Sequence, residues 1–381
     1  MADAPTPRHF ESFFVPGPTE VRPEILDCLT RSVIPHREPE FEAMFARIQA
    51  GLGDVLLTGR PVYVGACSAT GFMELGIRNT PHGKLLSLVN GAFSERFALV
   101  AESCGREVDR LVVDWGEAFD LDAVESKLAA TQYTAVTVAH CETSTGVLTD
   151  VAAVALLAHR HGAMVLVDAV SSAGGARLTV DAWGLDFVCT ASQKALALPA
   201  GLAFAVASPD FLERARRVPD RGFYFDIVQY DDYAAKNQTP STPATALLFA
   251  LEAQLGDITR EGIERRWERH LAMRDATIEW AAACSERRTL DLHLLAPAGS
   301  RSPTLSVLML PPGLKGAEVR AAVADRGFTL GSSLGELREE SIRIGHMGDH
   351  TLEGLGRCLH ATENAIAELA ERKNIRALVL R

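Results

Sequence analysis

Thr190-Ala191-Ser192-Gln193-Lys194-Ala195-Leu196 is the stretch on which the reading of this chain turns. It lies between two apolar, strand-like runs, Asp186 to Cys189 and Leu202 to Ala207. Twenty-six residues upstream a third run, Met164-Val165-Leu166-Val167, ends in Asp168. Pro61 to Ala66, Leu85 to Val89, Val108 to Val113 and Ala135 to Ala139 read as further strands. Helical patterns over Thr70 to Ile77, Phe93 to Cys104, Leu121 to Leu128 and Val151 to His161 alternate with them, and Gly162 stops the last. Strands apolar on both faces and separated by helices predict a largely parallel sheet covered on both sides. Ligands in such sheets bind beyond the carboxyl ends of the strands. Asp168 sits at one such end.

Beyond Pro209 the pattern changes. Residues 219–245 read as an irregular, aromatic-rich loop that runs into Asn237-Gln238-Thr239-Pro240-Ser241-Thr242-Pro243. A loop of that length inside a compact domain is usually functional. Residues 244–283 read as long helices, interrupted at Gly256 or Gly262. Strands over 303–310 and 341–344, with helices over 316–326 and 351–372, predict a second, smaller unit. The expected division is an N-terminal arm of residues 1–16, a large domain of 17–260 and a small α+β domain of 261–381.

Composition narrows the class. A chain of 381 residues, 47% hydrophobic and 23% charged, is that of an ordinary soluble enzyme of about two domains. The net charge of −11 argues against a nucleic-acid partner. Arg214, Arg216 and Arg217 read as a solvated helix face. The seven cysteines are scattered and form no Cys-x-x-Cys pair, the pattern of a reducing compartment rather than of disulfides or zinc. No basic-then-apolar leader opens the chain, and no apolar run approaches the roughly 20 residues needed to span a bilayer. A cytoplasmic location is expected.

A lysine amine and a carboxylate at the ends of separate strands are what pyridoxal phosphate requires. The amine bonds the aldehyde, and the carboxylate keeps the pyridine nitrogen protonated. Taken alone, Lys194 reads first as a surface lysine in a loop. Other segments carry similar pairs of readings. Ser68-Ala69-Thr70-Gly71, between a strand and a helix, suits a phosphate at a helix N-terminus or a plain N-cap. Phe93, after Asn90-Gly91-Ala92, suits either a stacked cofactor ring or the helix core. The hydroxyls of Glu142-Thr143-Ser144-Thr145-Gly146 suit a cofactor oxygen or a capped turn. Arg343, in Ser341-Ile342-Arg343-Ile344-Gly345-His346-Met347-Gly348, suits a bidentate clamp on a carboxylate or a salt bridge to a nearby glutamate.

Together these segments resemble the class V aminotransferases of fold type I, the group that holds alanine–glyoxylate and serine–pyruvate aminotransferases. The resemblance runs from Pro16-Gly17-Pro18-Thr19 to Gly348. The Glu142–Val147, Asp168-Ala169-Val170-Ser171-Ser172 and Ser192–Leu196 segments keep the family's order and spacing. It implies an α/β fold with a mainly parallel seven-stranded sheet, a small C-terminal domain, and pyridoxal 5'-phosphate as cofactor. It makes Lys194 the Schiff-base lysine and Asp168 the partner of the ring nitrogen. Thr143 and Gln193 would reach the ring hydroxyl, Phe93 would stack on the ring, and Ser68, Ala69 and Thr70 would meet the phosphate. Thr239 or Thr242 would reach the phosphate of a neighbouring subunit, which implies a homodimer. Arg343 and Gly17 would hold the substrate carboxylate. The implied reaction is transamination between a small amino acid (alanine or serine) and a 2-oxo acid (glyoxylate or pyruvate).

Two residues depart from the family pattern. Cys141 stands where Gly or Asn is usual, and Phe93 replaces a larger aromatic. Neighbouring activities in the superfamily, such as 2-aminoethylphosphonate, phosphoserine or ureidoglycine transamination, are the alternatives. A desulfurase would carry His before the lysine and a cysteine on a C-terminal loop, whereas Gln193 precedes Lys194 and residues 285–357 hold no cysteine. A nucleotide-binding α/β protein would need a G-x-G-x-x-G or P-loop motif, and none occurs. A silent cofactor-binding homologue would have no need of Lys194, Asp168 and Arg343 together.

Overall fold

The computed structural model describes residues 10–375. Seven strands form the larger sheet, in the order Tyr63–Gly65, Ala203–Ala207, Phe187–Ala191, Met164–Asp168, Ala135–Ala139, Leu85–Val89, Val108–Val112. Ala203–Ala207 runs antiparallel to both neighbours, and every other pair is parallel. Leu85–Val89, Ala135–Ala139 and Met164–Asp168 have the bounds expected from sequence, and all their residues are buried.

The alternation of side chains across a strand explains this burial. Val136, Val138, Val165 and Val167 face one core, closed by helices Pro39–Leu56 and Thr245–Glu261. Ala135, Met164 and Leu166 face the opposite core, closed by helices Ala69–Asn79 and Ala92–Ser103. Each fully buried aliphatic side chain contributes roughly 1.5–3 kcal/mol. Only the edge strand Val108–Val112 departs from the pattern, and its Val112 is exposed.

The smaller sheet has the order Phe13–Phe14, Thr329–Ser332, Ser341–Gly345, Leu305–Met309, His293–Leu294. Its first pair is parallel and the others antiparallel. Leu308, Ile342 and Ile344 pack with Val319, Leu355 and Ile366 into a separate core. Phe14 is buried in that core, so the described part of the N-terminal arm is an edge strand of the C-terminal sheet. Residues 1–9 of the arm lie outside the described residues.

Two expectations need adjustment. The 219–245 segment contains a helix, Ile227–Ala234, capped by the Asp226 side chain, which accepts from Val228 N at 3.0 Å. The break in the long helices falls at Gly262 (φ +83°), between Thr245–Glu261 and Ile263–Arg288. Gly256 stays helical, with open space where a side chain would stand. The arginine cluster lies on helix Pro209–Ala215 and just after it. Arg214 pairs with Asp210 and Arg217 with Glu213, as a solvated face should. All seven cysteines are free. Among the described residues no helix is long and apolar enough to cross a membrane.

Candidate active site

The carboxyl ends of Phe187–Ala191 and Met164–Asp168 lie side by side, and the turn carrying Lys194 leaves the first of them. That turn is tightly bonded. Ala197 N donates to Lys194 O at 2.8 Å, and Leu198 N to Ser192 O at 3.1 Å. Ser192 Oγ donates to Pro199 O at 2.7 Å. Ala197 adopts a left-handed conformation (φ +53°), uncommon for a residue with a Cβ. The result aims Lys194 inward, where it is only 8% exposed and donates to Pro16 O. Gly17 (φ +109°) lies against the chain of this lysine. A Cβ there would stand 2.6 Å from Nζ. Burial, helped by the charge of Arg343, pulls the amine down to about 8. A solvated loop lysine has none of these features.

Asp168 is buried, and its Oδ1 accepts from Val170 N at 2.8 Å. Burial pushes its carboxyl up to about 7. The Val170 N–H and the charges of Lys194 and Arg96 work against that shift, and Glu142 works with it. Among the described residues no basic group forms an ion pair with Asp168 within 4.0 Å.

Arg343 reaches the site from the smaller sheet. It is 9% exposed, and its fork meets two carbonyls: Nε donates to Ser332 O at 2.8 Å and Nη1 to Thr143 O at 3.0 Å. No carboxylate among the described residues lies within ion-pair distance of it, so the expected alternative of a glutamate salt bridge is absent. Burial brings the guanidinium down to about 10, against the opposing charge of Glu142. A buried cation held only by carbonyls is costly unless an anion arrives.

The Phe93 ring centroid lies 5.9 Å from Lys194 Nζ, with Arg96 over the ring at 4.7 Å. Phe93 belongs to none of the main apolar cores. Thr143 Oγ1 lies 2.5 Å from Ser171 Oγ. Ser68 stands at the N-cap of helix Ala69–Asn79, yet its side chain makes no capping bond. Ala69 is buried beside it, and Thr70 follows in the first turn. Gln193 lends its carbonyl to Thr19 N at 2.8 Å, while its buried Oε1 has no partner. Lys194, Gly17, Phe93, Asp168, Thr143 and Arg343 thus form one linked cluster. Thr239 and Thr242 lie apart from it. They line a small cleft with Gly65, Ala66 and Tyr230, next to the strand end that leads into Ser68.

Glu142, Ser302 and Thr304 were given no role by the sequence, and Cys141 only a departure from the family pattern. Glu142 is fully buried and holds the start of the Phe93 helix. Its signal was available: Gly91 offers that helix no cap, so a cap must come from elsewhere. Cys141 Sγ bonds Ser302 Oγ at 3.0 Å, and Thr304 Oγ1 donates to Ser171 O at 2.7 Å. Burial raises the Cys141 thiol to about 11, so it stays protonated. A cavity of about 550 Å³ opens nearby, between His140, Trp183 and Trp267. None of the sequence-derived site residues lines it. Among the described residues no group of three or more His, Cys, Asp or Glu side chains is placed to hold a metal ion.

Comparison with known proteins places this arrangement in a class. The family model for class-V aminotransferases matches residues 85–309, and the chain belongs to that family of pyridoxal phosphate-dependent enzymes. It is 33% identical over 362 residues to the soluble hydrogenase 42 kDa subunit of Anabaena cylindrica, covering 93% of each chain. It is 32% identical over 368 residues to the serine–glyoxylate aminotransferase of Arabidopsis thaliana, covering 93% of this chain and 90% of the relative. The solved alanine–glyoxylate aminotransferase of a Nostoc species superposes with a TM-score of 0.88 at 28% identity. That match covers 96% of this chain and 97% of the other. The residues present fit the cofactor: a buried amine of lowered basicity, a carboxylate without a cation, an uncapped helix start, and an aromatic ring facing the amine.

Proposed function

We propose that this aminotransferase moves an amino group from alanine or serine to glyoxylate or pyruvate, with Lys194 as the residue that bonds the cofactor. The carrying observation is the buried Lys194 amine, coupled electrostatically to Asp168 at the next strand end and to Arg343 from the other sheet. The glyoxylate acceptor rests on the serine–glyoxylate and alanine–glyoxylate relatives.

The bound cofactor supplies an electron sink for the substrate's α-carbon. Everything else falls to the chain. Arg343 binds the substrate carboxylate with the N–H groups that Ser332 and Thr143 leave over, which fixes the α-carbon relative to Lys194. Gly17 leaves room for the lysine chain itself, so that its backbone, rather than a side chain, would approach that carboxylate. With its basicity lowered to about 8, Lys194 Nζ is partly neutral near pH 7 and can accept the α-proton and return it. Burial raises the Asp168 carboxyl to about 7, so it is partly protonated near neutral pH, and it would partner the ring nitrogen of a bound cofactor, whose charge would favour the ionised form. Phe93 would cover the ring face, Thr143 and Gln193 would offer hydrogen bonds to the ring hydroxyl, and the N-terminus of Ala69–Asn79 would receive the phosphate.

In this reading the larger unit spans residues 17–260 and the smaller 261–381, and the protein is a cytoplasmic homodimer. The exposed Val33 and Phe223 are apolar surface that a second copy would cover. Thr239 spends its hydroxyl on Ser241 O at 2.7 Å, whereas Thr242 is exposed, so Thr242 is the threonine assigned to the neighbour's phosphate. The test is direct. Purified protein should carry the visible band of the lysine-bound cofactor and turn over alanine plus glyoxylate. Lys194→Ala should lose that turnover, and an unchanged rate in this variant would end the proposal. A screen of single amino acids for bleaching of the band then ranks the donors.

A further inference from the structure

Helix Ala92–Ser103 starts at Gly91, which has no side chain with which to cap it. Its first N–H groups are met from a neighbouring strand end. Ala92 N donates to Ser144 Oγ at 3.0 Å, Phe93 N to Glu142 Oε2 at 3.1 Å, and Ser94 N to the same oxygen at 2.8 Å. Glu142 also accepts from Ser94 Oγ at 2.9 Å, from Ser144 N at 3.0 Å and from Ser144 Oγ at 2.6 Å. A Cβ on Gly91 would fall 2.6 Å from Glu142 Cδ, so only glycine leaves the carboxylate its path.

Glu142 is 0% exposed. Among the described residues no Lys, Arg or His lies within ion-pair distance of it. Its charge therefore meets the positive end of a helix and reaches further to Asp168, Lys194 and Arg343. Besides Ser94, it binds the amide of Phe93, whose ring faces Lys194.

We propose that Glu142 is a positioning residue with two effects. It sets Phe93 against the cofactor ring by capping the Phe93 helix from across the site. Its negative charge favours a proton on the nitrogen that joins Lys194 to the cofactor. This inference rests on the cofactor reading above. The charged and titratable groups around that nitrogen are Asp168, Glu142, Cys141 and Arg343, and Arg96 adds its charge to Asp168 from the Phe93 helix.

Two substitutions separate charge from reach. Glu142→Gln keeps the volume and loses the charge. Glu142→Asp keeps the charge and falls one methylene short of the helix. In pH titrations of the visible band of the holoenzyme, Glu142→Gln should lower the apparent pKa by about one unit, while Glu142→Asp should leave it in place. Glu142→Asp should instead weaken pyridoxal phosphate binding about tenfold, measured by reconstitution of the stripped protein. Ser144→Ala, which removes the Ala92 cap and one of the hydrogen bonds to Glu142 but keeps the carboxylate, is the milder variant and should weaken binding about threefold. A merely structural glutamate would lower thermal stability and move neither the band's pKa nor the cofactor affinity, and that result would overturn the proposal. Wild-type protein with no visible band would end the parent reading instead. A wild-type band that titrates identically in Glu142→Gln would end only this one.

Discussion

Two buried arginines reach the Lys194 neighbourhood from opposite sides, and they are treated differently. Arg266, 2% exposed, donates to Glu261 at 2.8 Å, to Asp349 at 2.9 Å and to Ala195 O, beside the lysine, at 2.8 Å. Asp349 also pairs with Arg22 at 2.6 Å, and Arg22 continues to Gln254 and Asp257. Burial alone would raise the Asp349 carboxyl, but Arg266 and Arg22 outweigh it and hold it below its usual range. Arg343 has two carbonyls and, among the described residues, no carboxylate. One arginine is spent on locking the Lys194 turn to helix Ile263–Arg288. The other is left open for an anion that the described residues do not supply.

The widest expected separation lies in stability. Arg266→Ala should lose about 3–5 kcal/mol in denaturant unfolding, because it takes one of two cationic partners from each of the part-buried Asp349 and Glu261 and leaves Ala195 O without its donor. Arg343→Ala should change stability by no more than about 1 kcal/mol, since it removes a buried charge that had no counter-ion. A comparable loss in both variants would break the contrast.

Activity should reverse that order. Arg343→Ala should lower kcat/KM for amino acids by about 100- to 1000-fold, mostly through KM, because the substrate carboxylate loses its charged partner. Steady-state kinetics with alanine and glyoxylate measures it, and a KM unchanged from wild type would remove Arg343 from substrate binding.

Acid sharpens the picture next. His346 is buried, donates from Nδ1 to Pro303 O at 3.0 Å, and is depressed by burial to about 4. His140 is likewise held down to about 4 by burial. Both are neutral in the folded chain where the unfolded chain binds protons. Stability is therefore intact above about pH 6.5 and is lost as pH falls from there toward 4. The loss should be roughly 2 kcal/mol per histidine by pH 5. Urea midpoints at pH 7 and pH 5 report the slope, and His346→Gln should flatten it.

Arg343→Lys should show the mildest effect. It keeps the charge and loses the planar fork, so kcat/KM should fall about tenfold. A full loss would mean that the two bonds to Ser332 and Thr143, rather than the charge, carry the role.

Legibility from the sequence followed the range of the interactions. Leu85–Val89, Ala135–Ala139 and Met164–Asp168 were readable to the residue, because a strand buried on both faces must be apolar at every position. The helix Ile227–Ala234 was not readable, since its pattern is broken by aromatics that pack on other elements. Phe14 gave no sign that it would enter a core built from residues about 300 positions later. Arg343 was legible as a clamp or as half of a salt bridge, and nothing local could choose between the two.

The residues alone determined the alternation of strand and helix, the strand-end positions of Asp168 and Lys194, and with them the family. These depend on periodicity and on neighbours a few residues away. Only the tertiary structure decided that Arg343 lacks a carboxylate, that Glu142 caps the Phe93 helix, and that Arg266 rather than Arg343 anchors the lysine turn. Each depends on which groups from distant segments come within about 3 Å of one another. At that range a buried charge is either neutralised by the chain or left for a ligand.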